Sequence, residues 1–169
     1  GEIGTIYTFM NLRVQENFAT GESSVIPTPR WTVHSGMFVI IDECSMTTKD
    51  LFKYLEKGLD HTCKVLFVGD KNQLAPVKET ISPIYTQGFK TSLLTQPVRN
   101  ANSPDLMALC EQAKQTVLTG VFHPITEVPG VIDFVDGTTL QGILEREFTK
   151  EDPGKRVISY TNKRVLQYN

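Results

Sequence analysis

Two short apolar runs flank a helical repeat in the centre of the chain. Residues 37–41 (Met-Phe-Val-Ile-Ile) are continuously apolar and rich in β-branched side chains, a pattern typical of a strand that is covered on both faces in a parallel sheet. Residues 64–68 have a similar character. The pattern therefore predicts two buried strands.

A helix is predicted between these strands. Thr47 and Asp50 resemble a capping box, and four apolar residues then recur at helical spacing: Leu51, Phe52, Leu55 and Leu59. A strand, a helix and a strand with short connections predict a right-handed βαβ unit with parallel strands. The carboxyl ends of such strands share one edge, where open α/β sheets bind their ligands.

Weaker signals divide the rest of the chain. Two prolines and several small polar residues predict an exposed loop over residues 20–32. Further strands are predicted at 92–95, 131–135 and 156–160, and helices from Ser103 to Gly120, over 140–148 and from Asn162. Since the α/β alternation restarts in the second half, we predict two domains, residues 1–98 and 99–169.

Composition places the chain among ordinary globular proteins. It has 169 residues with 40% hydrophobic and 21% charged residues, and the formal net charge of −2 excludes a globally basic nucleic-acid coat but not a local basic groove. No apolar run approaches the roughly 20 residues of a membrane span, and residues 1–10 lack a signal-peptide layout. We therefore expect a cytoplasmic protein without membrane contact. Three widely spaced cysteines predict reduced, mostly buried thiols: Cys44, Cys63 and Cys110.

Adjacent acids follow the first predicted strand. Asp42 can hold the water shell of a Mg²⁺ ion, because this ion prefers oxygen ligands and keeps several waters. Glu43 can take the proton from an attacking water. The same dipeptide can also simply end a strand, so the pair alone does not decide between a site and a turn.

A second polar motif follows the neighbouring strand. Residues 69–77 read Gly-Asp-Lys-Asn-Gln-Leu-Ala-Pro-Val, and the amide of Gln73 can hydrogen-bond a γ-phosphate or an attacking water. A turn closed by Asp70 and stiffened by Pro76 would explain the motif structurally. Together, two motifs spaced by one helix favour a phosphate site at the sheet edge.

These motifs resemble those of superfamily 1B DNA helicases, the group that includes the RecD and Pif families. Residues 42–46 look like their Walker B motif, residues 69–77 like motif III and residues 94–100 like motif IV. Residues 160–163 resemble a stretch of their second RecA-like domain, and residues 5–7 resemble a segment that lies along single-stranded DNA. The resemblance covers nearly the whole chain.

The resemblance implies a fold and a set of roles. The fold would be an incomplete α/β, parallel-sheet RecA-like (P-loop NTPase) core with the start of a second RecA-like domain, binding ATP and Mg²⁺. Asp42 would be the Mg²⁺ ligand, Glu43 the general base and Gln73 the γ-phosphate sensor, with Asp70 beside it. Arg99 would be an arginine finger, and a guanidinium is suited to bridging phosphate oxygens. Single-stranded DNA would be contacted by Thr5, Tyr7, Thr161 and Asn162, although Tyr7 replaces the family's histidine.

The phosphate-binding loop of these enzymes is absent from the sequence. No G-x-x-x-x-G-K-[ST] occurs, so there is no ring of backbone N–H groups and no lysine for the phosphates. We therefore expect a fragment of a 5′ to 3′ DNA helicase from a bacterial or phage-infected cell that is inactive by itself. The resemblance also implies that the strand of the phosphate-binding loop would lie beside residues 65–68. Its absence would leave an open apolar edge there, through which we expect self-association.

Two other functions stay open. A non-catalytic α/β module could bind a nucleic acid or a protein partner. A Mg²⁺-dependent phosphohydrolase could use Asp42, Glu43 and Asp70 directly on a small substrate.

Overall fold

The computed structural model describes residues 1, 3–17, 22–96, 98–100, 102–150, 152–159 and 161–168, with only the backbone at 17, 22, 162, 167 and 168. The chain forms two compact units, Gly1–Gln96 and Pro97–Asn169. Among the helices in the described ranges, none combines the length and apolar character needed to cross a bilayer.

The first unit contains a hairpin, a parallel strand pair and two helices. Helix α1 (Ile6–Phe9) precedes the antiparallel strands β1 (Leu12–Asn17) and β2 (Glu22–Pro27). Strand β3 (Phe38–Ile41), helix α2 (Lys49–Gly58) and strand β4 (Lys64–Phe67) follow. Strands β3 and β4 pair in parallel, with Phe38 opposite Lys64 and Ile41 opposite Phe67. This confirms the predicted strand–helix–strand unit.

The helix cap lies one residue later than predicted. Thr48, not Thr47, is the N-cap of α2, and its hydroxyl accepts a hydrogen bond from the N–H of Leu51 at 3.2 Å. Leu51, Phe52 and Leu55 point into the core as the spacing predicts. They pack with Met10, Leu12, Ile41, Cys44 and Ile84.

Only one face of the parallel pair is covered, so the prediction of two covered faces is wrong. Val39, Val65 and Phe67 pack against the core that α2 covers. The alternate side chains lie on the other face, where Phe38 is 65% exposed and Ile40 60% exposed. A single crossover helix can shield only one side of a two-stranded sheet, and in the described residues each strand has one partner.

The loop predicted at residues 20–32 is wrong in its first half. Residues 22–27 form β2, which pairs with β1, while residues 20 and 21 lie outside the described residues. Proline is tolerated at a strand end, and Pro27 occupies that position. The prolines therefore marked the end of a strand, not its absence.

The second unit is helical where described. It contains α3 (Pro104–Thr119), α4 (Gly137–Glu147) and α5 (Asn162–Tyr168), which confirms the three predicted helices. Helix α3 ends at Gly120, whose φ of 70° is the left-handed conformation that glycine adopts readily. None of the described residues of α3 is buried, so its apolar stripe is not part of a core.

The three later strands are not formed. Residues 92–95 are exposed and irregular, and 131–135 contribute only an isolated bridge between Val128 and Ile132. Residues 156–159 are also irregular, and Tyr160 lies outside the described residues. A short apolar run becomes a strand only when a partner completes its hydrogen bonds. The three cysteines are free as predicted, but only Cys44 is buried and Cys110 is exposed.

Candidate functional site

The acidic turn, residues 42–46, leaves the end of β3 and is attached to the end of β4. The N–H of Val68 donates to the carbonyl of Ile41 at 2.8 Å, and the N–H of Cys44 donates to the carbonyl of Val68 at 2.9 Å. The parallel pairing thus continues beyond the strands. As a result, the two segments that carry the polar motifs start from one fixed edge.

Glu43 has an unusual backbone conformation. Its φ of 51° and ψ of 41° lie in the left-handed region, which costs a non-glycine residue about 1 kcal/mol or more. The Asp42 carboxylate accepts a hydrogen bond from the Glu43 N–H at 2.9 Å, and the Cys44 N–H is held on the other side. Backbone strain of this kind is concentrated at functional sites.

The Gln73 loop, residues 69–73, follows β4. One oxygen of Asp70 accepts from the Asn72 N–H at 2.9 Å, and the other lies 3.5 Å from the Gln73 amide nitrogen. The Asp70 carbonyl also accepts from the Gln73 N–H at 3.1 Å. Asp70 therefore closes its own loop, as the structural interpretation of the motif expected, and holds the Gln73 side chain loosely.

The acidic turn and the Gln73 loop meet at Gly69. A Cβ on this residue would lie 2.8 Å from Cys44 Sγ, 2.8 Å from the Tyr85 hydroxyl and 3.1 Å from the Cys44 nitrogen. The Cys44 thiol donates to the Tyr85 hydroxyl at 3.6 Å. Glycine is needed here because any side chain would push the loops apart.

Tyr85 lies at this junction, a position that no sequence motif marks. It lies in a short 3₁₀ helix, Pro83–Thr86, and belongs to none of the recognised motifs. Burial, the Cys44 contact and the negative charges of Asp70 and Glu43 all raise the pKa of Tyr85. Its hydroxyl therefore stays protonated near neutral pH and lies close to both acidic loops.

The site is open and acidic. Asp42, Glu43, Asp70 and Gln73 are all exposed. Among the described residues, no cluster of three or more His, Cys, Asp or Glu side chains could hold a metal ion. An ion held by Asp42 would therefore need waters or a ligand's oxygens to complete its shell, which suits Mg²⁺, since it is commonly bound by one or two carboxylates plus substrate phosphates.

The remaining predicted residues lie elsewhere in the chain. Arg99 is exposed and belongs to the second unit. Thr5 is the N-cap of α1 and accepts from the Thr8 N–H at 3.2 Å, and Tyr7 is half-buried against the core. In the second unit, the Thr161 hydroxyl accepts from the Arg164 N–H at 3.3 Å, and Asn162 begins α5.

A groove of about 650 Å³ in the first unit is lined by residues of α2 and of the segment 78–87. Its polar lining includes Lys49, Lys53, Lys78 and Glu79, whereas none of the acids of the candidate site lines it. Concave pockets are the usual first candidates for ligand sites. Here the polar motifs meet on an open sheet edge instead.

Comparison with known proteins supports the interpretation of the motifs. Residues 4–121 match the family described as AAA domain. The ATP-dependent DNA helicase dda of Enterobacteria phage T4 is 28% identical over 144 residues, which is 78% of this chain and 31% of that protein. An uncharacterized protein, R530, of Acanthamoeba polyphaga mimivirus is 32% identical over 76 residues, 43% of this chain and 15% of that protein. The chain thus spans less than a third of each of these relatives, and the expected relationship to superfamily 1 helicases is confirmed.

Proposed function

The chain belongs to the AAA domain family, and from that premise we propose that it is part of an ATP-dependent DNA helicase of superfamily 1B. Its whole protein would couple ATP hydrolysis to 5′ to 3′ movement on single-stranded DNA. The observation that carries this proposal is the junction of the acidic turn and the Gln73 loop at the carboxyl end of a parallel strand pair. Open α/β sheets bind nucleotides at this edge.

The proposed domains follow the predicted boundaries. Residues 1–98 would be part of a first RecA-like domain, and residues 99–169 would be a linking helix and the start of a second one. The division of the chain into compact units near residue 96 supports this assignment. The parallel β3–β4 pair supports a RecA-like sheet in the first of them.

The acidic turn would carry the metal and base chemistry. Asp42 would hold Mg²⁺ through its water shell, and the ion would neutralise phosphate charge. Glu43 would accept the proton of the attacking water. Two observations support these two roles. The Glu43 N–H donates to one Asp42 oxygen, and the left-handed backbone of Glu43 is fixed by that bond and by the bond from the next N–H, that of Cys44, to the Val68 carbonyl.

The Gln73 amide and the Arg99 guanidinium would contact the γ-phosphate. The Gln73 amide, held only at 3.5 Å from Asp70, is free to turn toward a γ-phosphate without adding charge. Asp70 would keep the loop in shape beside the nucleotide. Arg99 would supply the arginine finger, because its guanidinium is permanently charged and can bridge two phosphate oxygens.

The DNA contacts would come from Thr5, Tyr7, Thr161 and Asn162. The partly exposed ring of Tyr7 can stack on a base even though it replaces the family's histidine. Single-stranded DNA and ATP would be the partners. The protein would be located in the cytoplasm of a bacterial or phage-infected cell.

A nucleotide-binding measurement tests the proposal. We expect a fluorescent ATP analogue to bind the chain only with Mg²⁺, and Asp42→Asn to weaken this binding by about tenfold, the usual effect of losing a group that holds a metal ion through its outer shell. Asp50→Asn is the matched control, since Asp50 is also exposed but pairs with Lys53 on α2.

Two results would favour the other functions. Binding that ignores both Mg²⁺ and Asp42→Asn would indicate a non-catalytic module. Hydrolysis of small phosphate esters that depends on Asp70 would indicate a phosphohydrolase, although both Asp70 oxygens already face donors of their own loop.

We expect no steady ATP turnover, because the sequence contains no phosphate-binding loop motif. Turnover that disappears in Glu43→Gln would contradict that expectation.

Self-association through β4 is a further part of the proposal. Among the described residues β4 pairs only with β3, and Leu66 and Val68 are exposed. Unpaired apolar strand edges recruit other chains. Light scattering should therefore give a mass above 18.9 kDa, and a single monomeric species over a broad concentration range would argue against it.

A further inference from the structure

One segment contacts the acidic turn at Cys44 and the residue that directly follows the turn, Thr47. This Tyr85 segment consists of Ser82 and the 3₁₀ helix Pro83–Thr86. The Ser82 hydroxyl donates to the Thr47 carbonyl at 2.9 Å, directly after the turn. The Cys44 thiol, within the turn, contacts the Tyr85 hydroxyl at 3.6 Å. These partners are 35 and 41 residues apart in the chain, so the segment fixes the second half of the turn through long-range contacts.

The same hydroxyl lies close to the start of the Gln73 loop, where a Cβ on Gly69 would be 2.8 Å from it. The Gly69 position has no space for a side chain because Cys44 and Tyr85 both approach it. Three separate segments therefore converge on Cys44. A change at this junction would alter the spacing between the acidic turn and the Gln73 loop.

The first three residues of the Tyr85 segment are buried. Ser82, Pro83 and Ile84 are buried, with Ser82 only 1% exposed. The Tyr85 N–H donates to the Ser82 carbonyl at 3.2 Å. The backbone that carries the Tyr85 phenol is therefore anchored in the core. Ser82, which is buried and hydrogen-bonded, fixes the start of the segment.

The chemistry of the hydroxyl suits a place between acids. It is neutral, since burial and the charges of Asp70 and Glu43 raise the pKa of Tyr85. It accepts from the Cys44 thiol, and its own proton is left to donate. A neutral phenol adds no third negative charge beside the carboxylates of Asp70 and Glu43.

We propose that Tyr85 is a positioning residue whose hydroxyl fixes the acidic turn against the Gln73 loop. It thereby sets the distance between the group that holds Mg²⁺ and the group that senses phosphate. This consequence for nucleotide chemistry rests on the proposed function. The mechanical link between the loops does not.

Tyr85→Phe removes only the hydroxyl and tests the link in the full chain. We expect amide exchange at Cys44 to become about five- to tenfold faster, the usual effect of losing one hydrogen bond. Affinity for Mn²⁺, used as a probe for Mg²⁺, should fall by about tenfold, as for loss of an outer partner. The unfolding midpoint should stay within a few degrees. Tyr54→Phe is the control, because Tyr54 also packs against the core but lies on α2.

Gly69→Ala tests the same junction in the opposite way. It keeps the hydroxyl but places a Cβ 2.8 Å from Cys44 Sγ. We expect the same two changes, faster exchange at Cys44 and weaker Mn²⁺ binding. Unchanged exchange and unchanged Mn²⁺ affinity in both variants would overturn the proposal.

Two further outcomes are decided by other readouts. If Tyr85→Phe does not fold, wild-type exchange decides: Cys44 and Tyr85 amides should open at similar rates, and much faster opening at Cys44 would overturn the link. If wild-type chain shows no Mn²⁺ binding near Asp42, the proposed function loses support. The exchange rates still confirm or overturn the role of Tyr85.

Discussion

Different interactions stabilise each of the two units. In the first unit, eight hydrophobic residues between Met10 and Ile84 form a buried cluster. In the described part of the second unit, no residue is buried, and the contacts are helix caps and exposed ion pairs. Exposed pairs contribute little to stability, whereas a buried leucine contributes roughly 1.5–3 kcal/mol. The site-bearing unit is therefore expected to be the more stable of the two.

The largest expected effect comes from the core of the first unit. Leu55 is 3% exposed, so Leu55→Ala should lower the free energy of unfolding by about 2–5 kcal/mol, because it removes apolar contacts and leaves a cavity. Trp31 is the only tryptophan and packs against this core. Its fluorescence in a urea titration measures the change.

The matched substitution in the second unit is Leu118→Ala on α3. Leu118 is 53% exposed, and alanine is the better helix former. The change should stay within about 0.5 kcal/mol. A loss as large as that of Leu55→Ala would show that the second unit has a core of its own, and the contrast between the units would be wrong.

A smaller effect is expected at the helix caps. The Thr48 hydroxyl accepts from the Leu51 N–H, so Thr48→Ala should cost about 1 kcal/mol in the urea titration. The Ser103 side chain makes no cap hydrogen bond. Ser103→Ala should therefore leave the helical signal in circular dichroism almost unchanged, and a clear loss of helix would contradict the described cap.

The smallest effect concerns the ion pairs of the second unit. Glu147 accepts from Lys155 at 2.7 Å and from Arg146 at 2.8 Å, and these partners lower the pKa of Glu147 to about 2 from its usual 4.5. Since the folded pKa is depressed, the stabilisation is complete above pH 4.5 and is lost as the pH falls toward 2.

Carbon NMR of the Glu147 carboxyl checks this value. The titration midpoint should lie near 2, and Lys155→Met should move it upward because Lys155 makes the largest contribution. Asp50, which pairs with Lys53 in the first unit, is the comparison carboxylate. A Glu147 midpoint near 4.5 would mean that the pair does not form in solution.

The sequence predicted the parts of the fold that local patterns determine. The strand–helix–strand unit and the helices α3, α4 and α5 each carry their own local periodicity. Strand β2 was missed because its pairing with β1 outweighed the turn signals around Pro27. The predictions of strands at 92–95, 131–135 and 156–160 were wrong because a short apolar run forms a strand only where a partner exists.

In the candidate site, too, local sequence patterns identify some residues and not others. Asp42, Glu43, Asp70 and Gln73 could be found because strand ends and short motifs locate them in the sequence. Tyr85 could not, because its contact with Cys44 spans 41 residues and no local pattern encodes it. The close approach at Gly69 was hidden for the same reason. Long-range contacts thus join the loops that local signals identify.

The most direct test of the central claim is amide line broadening by Mn²⁺ added with ATP. We expect broadening at residues 42–44 and 69–73, where the two loops meet, and its loss in Asp42→Asn. Tyr54 and other amides of the first unit distant from this edge should stay sharp. Equal broadening at unrelated acids such as Asp50 and Glu56, unchanged by Asp42→Asn, would contradict a nucleotide-phosphate site at the end of the β3–β4 pair.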